Sequence, residues 1–580
     1  MPPMSQLVQR TFCETHASRL QADGIPPLLA RIYAARGVTD AAQLRLGLDA
    51  LASPQQAGTG MKGLHEAAQI LGEAVLSQQK ILVVGDFDCD GATSTALCME
   101  ALCAMGAEDP CYLVPNRFEY GYGLTPEIVE LARKLQPQVL MTVDNGISSI
   151  EGVRAARSAG MRVVVTDHHL PGHMLPEADA IVNPNQPGCP FPWKNSAGVA
   201  VAFYVMTAVR NYLRQQGYFS NVRPEPRMVS LLDLLALGTV ADVVPLDDNN
   251  RILVTQGLAR IRSGKARPGI RALLEVAGRP EDQVMASDMG FAVGPRLNAA
   301  GRLADMSLGI RCLLARDMAQ ARAMAQELDS LNRERRSIEA VMQAEATNVL
   351  VDDDLLARRW GLCLYNDQWH QGVIGILAGR VKEQCHRPVI AFARVTDDEI
   401  KGSARSIQGL HMRDALDAVA AKHPGLLVKF GGHAMAAGLS LRLSDLPAFA
   451  EAFDAQVRSM LRPEDLQQVL ETDGPLAADE LSVETAMLLR AAGPWGQGFP
   501  EPLFEGVFDV IDFRVLKEKH LKLSLRSPEG PVLDAIHFGC VPRLGVPSGK
   551  RLRAAYVPEI NEFGGRRTVQ LRLSHWECMD

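Results

Sequence analysis

Between about residues 61 and 245, short β-branched runs alternate with helical stretches, and this alternation constrains the chain more than any other feature. The runs occupy 81–84, 112–114, 139–143, 162–166 and 180–182. Strands separated by helices return to the same sheet edge and pair in parallel, with helices over both faces, so each run is almost wholly apolar. The segment reads as an α/β lobe around a parallel sheet.

At 580 residues the chain exceeds a single hydrophobic core, and about 150 residues per domain gives roughly three to four units. Residues 310–360 contain no Gly or Pro, and Met324, Leu328, Leu331, Ile338 and Met342 recur at helical spacing with charges between them. This predicts a long helix joining two lobes. A second α/β segment begins at Gly361, with strands at 362–365 and 388–392 and a helix around 373–381. The period then changes: Leu521, Leu523 and Leu525 alternate with Lys522, Ser524 and Arg526, and Val569, Leu571 and Leu573 alternate with Gln570, Arg572 and Ser574. With 507–516, 532–538 and 551–557 these make about five strands, enough for a small barrel of the oligonucleotide-binding (OB) kind. The expected units are an N-terminal segment (1–60), the first lobe (61–309), the connecting helix (310–360), the second lobe (361–460) and the barrel domain (461–580).

The formal net charge of −7 does not hold the whole chain on a polyanion. Residues 513–576, however, carry twelve Lys and Arg against five Asp and Glu, which gives the barrel a basic surface. The longest uncharged, mostly apolar stretch, 195–209, is shorter than the roughly 18 residues of a membrane span and reads as a buried helix. The N-terminus has no apolar secretory block. Eleven scattered cysteines without a Cys-x-x-Cys pair indicate neither a disulfide framework nor a cysteine zinc site, so a reducing cytoplasm is expected.

Asp86, Asp88 and Asp90 stand at alternate positions in GDFDCDG, directly after the first run. Asp144 follows the third run in DNGIS, and Asp167, His168 and His169 follow the fourth in TDHH. The carboxyl ends of strands in an open parallel sheet line one crevice, so three strands deliver acidic or imidazole groups to one place. Crowded carboxylates repel unless cations lie among them. Asp242, in GTVADVVP, is a fourth contributor whose placement the pattern leaves open. Oxygen-rich donors with few imidazoles suit Mg²⁺ or Mn²⁺ better than Zn²⁺. A single aspartate after a strand also serves as a helix cap or turn former, and convergence is what separates the two readings. Three carboxylates so close in sequence seldom all ligate one cluster, which sets Asp86 apart from Asp88 and Asp90. His169 reads as a group behind a ligand or facing a phosphate.

Other motifs fail. An EF-hand starting at Asp86 would need Glu where Leu97 stands, and a P-loop at 257–265 has the wrong spacing and Ala266 in place of Ser or Thr.

GDFDCDG, DNGIS, TDHH and GTVADVVP resemble the four signature motifs of the DHH phosphoesterase family, and the wider context is similar to its bacterial exonucleases specific for single-stranded DNA. That context comprises VPNRFEYGYGL (114–124), GPRLNAAGRL (294–303), HQGVIGILAGR (370–380), KGSARS (401–406) and GGHAMAAG (431–438). Val84 stands where pyrophosphatase relatives carry a metal-binding His, which argues against that branch. The resemblance implies a DHH catalytic lobe, a DHHA1-like substrate lobe facing it, and an OB-like single-strand-binding barrel. It implies that Asp88, Asp90, Asp144, His168 and Asp242 hold two divalent cations, Mn²⁺ or Mg²⁺, with Asp86 and His169 also in the catalytic set. Ser403, Arg405, Gly432 and His433 would seat a terminal 5′-phosphate, Arg117 and Arg302 would meet strand phosphates, and His370 would orient such groups or pack in the core. Phe513, His520, Phe538, Tyr556 or Phe563 would be available for base stacking. The implied activity is 5′→3′ exonucleolysis of single-stranded DNA to nucleoside 5′-monophosphates in recombination and repair, with a single-strand-binding protein and a helicase as partners. The alternatives are a phosphoesterase of short oligonucleotides or cyclic dinucleotides, which would not need the barrel, and a non-catalytic DNA-binding relative, which would have eroded ligands.

Overall fold

The computed structural model describes residues 6–579 except 57, 117–118, 121–122, 351–355, 357 and 529. After a short first strand, β1 (Gln6–Gln9), the first lobe is built on β2 (Ile81–Gly85), β3 (Cys111–Leu113), β4 (Val139–Val143), β5 (Arg162–Thr166) and β6 (Ala180–Val182). All pair in parallel, in the order β3-β2-β4-β5-β6. Every residue of β2 and β4 is buried, because helices cover both faces. Ile81 and Val83 pack with the helices Leu64–Leu76, Cys89–Ala104 and Gly198–Gln215, whereas Leu82 and Val84 pack with Pro126–Arg133 and Ile150–Ser158. From β2 the chain goes to β3 on one side and to β4 on the other, so the carboxyl ends of β2 and β4 flank the crevice of a topological switch point.

The connecting helix is Met318–Leu350. It starts later than the expected 310, because Ser307–Leu314 is a separate helix and the Asp317 side chain accepts the Gln320 N–H at 2.9 Å, capping a new start. Leu328 packs in the first-lobe core and Met342 in the second-lobe core, so one helix about 50 Å long is anchored in both.

The second lobe holds β7 (Leu362–Tyr365), β8 (Val389–Arg394), β9 (Glu399–Arg405), β10 (Lys429–Gly432) and β11 (Ala436–Arg442), in the order β10-β11-β9-β8-β7. Only β7 and β8 are parallel. The strand expected from Pro388 begins one residue later, since proline has no N–H for the ladder.

Next, β12 (Val469–Thr472) pairs in parallel with β1, and Arg36 makes a two-pronged contact with Asp473 at 2.7 and 2.9 Å. The N-terminal residues are thereby tied to the chain entering the barrel. The barrel comprises β13 (Phe504–Leu516), β14 (His520–Arg526), β15 (Val532–His537), β16 (Arg551–Phe563) and β17 (Arg566–Met579), closed in the order β13-β14-β15-β17-β16. Leu521, Leu523, Leu525, Leu571 and Leu573 fill its interior, as their alternation predicts. Tyr556 is also interior, edge-on to Phe508 at 5.5 Å, which removes it as a base platform. Phe513 and Phe538 are exposed, and His520 meets Phe538 edge-on at 5.5 Å. The Phe563 side chain lies outside what the structure describes.

Candidate metal centre and facing cleft

Beyond β2 the chain bends through residues 86–88 before the helix Cys89–Ala104. Asp88 caps that helix, its Oδ1 accepting the N–H groups of Asp90 and Gly91 at 3.0 Å each. The bend gathers carboxylates: Asp86, Asp88 and Asp144 each place a carboxylate oxygen within 4.8 Å of the others. Asp144 follows β4 at φ 61°, and the Asn145 side chain pins the turn by donating to the Val84 and Val143 carbonyls at 3.1 and 2.8 Å.

After β5, Asp167 Oδ1 accepts the N–H groups of His168 (2.7 Å) and His169 (3.1 Å) and contacts His169 Nδ1 at 2.8 Å, while its Oδ2 accepts the Ile147 N–H at 2.9 Å. His168 Nε2 consequently stands 3.1 Å from Asp144 Oδ1, 3.5 Å from Asp242 Oδ2 and 3.9 Å from Asp90 Oδ2. Asp242 arrives from the C-terminal end of the helix Leu232–Ala241, the placement that sequence left open. Asp90, His168 and Asp242 form a second group within 4.8 Å, and Asp144, His168 and His169 a third.

Of four supporting residues, sequence reading named only Asp167, as one of the acidic or imidazole groups after the fourth run. Asp167 and Asn145 orient their neighbours as described, and the Asn-Gly pair in DNGIS is a visible turn signal. Asn298, inside GPRLNAAGRL, accepts the Cys89 N–H at 2.8 Å. Gly198 opens the helix Gly198–Gln215, whose first N–H groups, those of Gly198 and Val199, donate to Asp90 at 2.7 and 2.9 Å. A Cβ there would lie 2.7 Å from Asp144 Cβ and Oδ1, so only glycine lets the helix come so close.

The second lobe faces this centre. His433 stacks on His169 at 5.9 Å, and between the lobes lies a cleft of about 710 Å³ lined by Gly146–Ser149, Asp167 and His169 on one side and Lys401, Arg413, Lys429 and Gly431–His433 on the other. Gly432 sits at φ 150°, where a Cβ would lie 2.4 Å from the Ala436 carbonyl, whereas a Cβ on Gly431 would meet open space. Arg405 Nη1 donates to Ser403 Oγ at 3.2 Å, and both lie against Gly375 at the start of the helix Ile374–Cys385. Arg302 Nη1 donates to the Gly372 carbonyl at 3.0 Å, and His370 Nδ1 accepts the Gly372 N–H at 3.1 Å, so these two meet where the lobes join. Arg117 lies outside the described residues.

Residues 80–239 match the DHH family N-terminal domain, 355–459 the DHHA1 domain and 472–575 the RecJ OB domain. The single-stranded-DNA-specific exonuclease RecJ of Salmonella typhimurium is 52% identical, over 98% of this chain and 99% of its own length. The chain belongs to the RecJ family. RecJ of Bacillus subtilis is 32% identical, covering 96% of this chain and 69% of itself. The crystal structure of Thermus thermophilus RecJ in complex with Mn²⁺ superimposes with a TM-score of 0.78 at 29% identity, covering 99% of this chain and 79% of that one.

The electrostatics of this RecJ-family centre follow from burial. Burial, then the charges of Asp90 and Asp88, push Asp144 and Asp242 well above the usual carboxylate range, and burial with Asp88 lifts Asp90 to about 7. Burial and the neighbouring His169 hold His168 down to about 3, so its imidazole is neutral. Burial also opposes charge on His169, but the hydrogen bond and charge of Asp167, aided by Asp86 and Asp88, outweigh it and raise His169 to about 9. A neutral imidazole nitrogen amid carboxylate oxygens is a donor set that fits divalent cations.

Proposed function

We infer that the chain is a divalent-metal-dependent exonuclease that degrades single-stranded DNA from its 5′ end to nucleoside 5′-monophosphates, in recombination and repair. One observation carries this reading. His168 Nε2 and Asp242 Oδ2 are buried 3.5 Å apart and neither hydrogen-bonds to any described residue, in a centre that also gathers Asp88, Asp90 and Asp144. Buried polar atoms without partners are costly, and a cation between them removes the cost. The named relatives are single-strand-specific exonucleases, and Thermus RecJ binds Mn²⁺ and Mg²⁺, which supports extending both properties to this chain.

Asp88, Asp90, Asp144, His168 and Asp242 hold two such cations, with Asp86 joining Asp88 and Asp144. Bound ions supply charge neutralisation at the phosphoryl oxygens and acidify the attacking water. The chain's own part is positional. Asp167 fixes both histidines, and His169, charged and next to His433, draws a phosphate into the cleft. Ser403, Arg405 and the backbone at Gly432 seat the terminal 5′-phosphate, so that hydrolysis one nucleotide away releases a monophosphate. Arg302 and Arg117 meet strand phosphates, His370 shapes the loop Arg302 holds, and exposed Phe513 and Phe538 stack on bases farther along. A helicase and a single-strand-binding protein deliver the strand, in the cytoplasm. No helix among the described residues is long and apolar enough to cross a membrane.

Product analysis on end-labelled single strands with Mg²⁺ or Mn²⁺ tests the reading. A 5′ label should leave first as mononucleotide, and degradation starting only from the 3′ end would contradict the polarity. Removing residues from about 465 onward should abolish long-strand affinity; a truncated chain with full activity would favour a phosphoesterase of short oligonucleotides.

A further inference from the structure

The last strand of the first lobe also ends at the crevice, but in amides. Asn183 directly follows β6 and Asn185 comes two residues later, in VNPNQ. A search for acidic or imidazole groups after strands passes over them, because neither titrates. Their amides reach back to the neighbouring strand end. Asn185 Nδ2 donates to the His168 carbonyl at 2.6 Å and to the Lys194 carbonyl at 3.2 Å, and Asn183 Nδ2 donates to the His169 carbonyl at 2.9 Å. Asn183 Oδ1 accepts the Asn185 N–H at 2.7 Å, so this completely buried side chain uses both ends of its amide. Asp167 takes the N–H groups of the same two histidines. The backbone of His168 and His169 is therefore gripped on both polar sides, by a carboxylate at the donors and by amides at the acceptors.

Only a hydrogen-bond donor serves at the second grip. A carboxylate there would face a carbonyl oxygen and add charge to a centre already crowded with aspartates. The loop that carries the amides is itself closed. Lys194 Nζ donates to the Pro184 and Cys189 carbonyls at 2.6 and 2.9 Å, and Lys62 Nζ donates to the Pro187 carbonyl at 2.9 Å. At the far end of the loop the backbone of buried Ser196 hydrogen-bonds the His168 ring. The N–H groups of Gly198 and Val199, which come next, are those that hold Asp90. One segment, 183–199, thus touches His168 at backbone and ring, His169 at its carbonyl, and Asp90 at both carboxylate oxygens.

We propose that Asn183 and Asn185 are positioning residues of the metal centre, in a loop that Lys194 closes, and that they hold His168 in register with Asp90, Asp144 and Asp242; this rests on the reading of that centre as a divalent-cation site. The amide donors do what additional carboxylates could not: they fix a ligand without adding charge.

Mn²⁺ titration calorimetry on the full chain, with Asn185→Asp and Asn185→Leu side by side, separates positioning from charge. Both variants nearly keep the side-chain size and lose the donor, and Asn185→Asp adds a negative charge that by itself would tighten a cation. Both should bind Mn²⁺ roughly 10- to 100-fold more weakly than wild type. In hydrolysis of single strands, the Mn²⁺ concentration giving half the maximal rate should rise correspondingly, while KM for the strand at saturating Mn²⁺ stays unchanged. Cooperative thermal melts in chelator establish that the variants fold. If the Asn185 variants do not fold, Lys194→Met, changed at the exposed rim of the loop, decides: a loss of Mn²⁺ affinity of about threefold or more supports the role, and unchanged affinity overturns it. A wild type that binds Mn²⁺ while folded Asn185→Asp binds it equally or more tightly overturns the positioning role alone. A wild type that binds no Mn²⁺ overturns the reading of the metal centre and the positioning role with it.

Discussion

His168 Nε2 lies 3.1 Å from Asp144 Oδ1, and through this pair the groups Asp86–Asp88–Asp144 and Asp90–His168–Asp242 adjoin each other. The two residues end adjacent parallel strands, β5 and β4, so the contact is a product of the sheet order.

Asp144→Asn removes both an oxygen donor common to two groups and a buried like charge. Hydrolysis should fall by more than the roughly 10- to 100-fold typical of residues that only orient ligands. The melting temperature of the chelated protein at pH 7.5 should rise by about 2 °C or more, and its increase on adding Mn²⁺ should vanish. Near-normal turnover would remove Asp144 from the centre.

Gly198→Ala tests the close approach of a helix to the same carboxylate. The added methyl, 2.7 Å from Asp144 Oδ1, must displace the side chain or the helix start. Mn²⁺ titration followed by calorimetry should show an affinity loss of roughly 10- to 100-fold. Unchanged affinity would show that the centre tolerates the shift.

Asp167→Asn should loosen both histidines, since one carboxylate accepts both of their backbone N–H groups and the His169 ring. A weakening of Mn²⁺ binding by about tenfold or more is expected, with the fold retained in circular dichroism. Full affinity in this variant would make Asp167 purely structural.

The pH dependence of the metal-free protein has a defined sign. Asp90 is raised from 3.8 to about 7, so its stabilising contribution is complete below about pH 4 and is lost as the pH climbs to about 7. Asp144 and Asp242, also raised, act in the same direction. His168, held to about 3, acts oppositely: its contribution is present above about pH 6.5 and is lost on acidification. In chelator, the melting temperature of wild type minus that of Asp90→Asn should therefore fall between pH 4.5 and 7.5, and saturating Mn²⁺ should erase the fall. A difference that climbs with pH would reverse the assignment.

Arg405→Ala should discriminate between substrate ends. Loss of a charge-assisted contact, about 1.5–3 kcal/mol, corresponds to roughly ten- to a hundredfold in kcat/KM on 5′-phosphorylated strands. Strands with a 5′-hydroxyl should suffer less, and equal losses on both would remove Arg405 from the terminal-phosphate pocket.

The amino-acid sequence by itself determined the layers. Almost wholly apolar five-residue runs such as Val139–Val143 demand a sheet covered on both faces, period-two leucines such as Leu521–Leu525 demand a two-faced strand, and aspartates directly after strands can only project from the carboxyl edge. Local covalent periodicity is enough for such inferences. The tertiary structure alone decided what depends on a turn, an approach or a crossing. The bend at residues 86–88 brought Asp86 to Asp88 and Asp144, Gly198 allowed a helix 110 residues downstream of Asp88 to meet Asp90 and Asp144, and Asp242 reached them from a helix end with no strand to announce it. These relationships arise from how separate segments pack, and packing distance leaves no period in the chain.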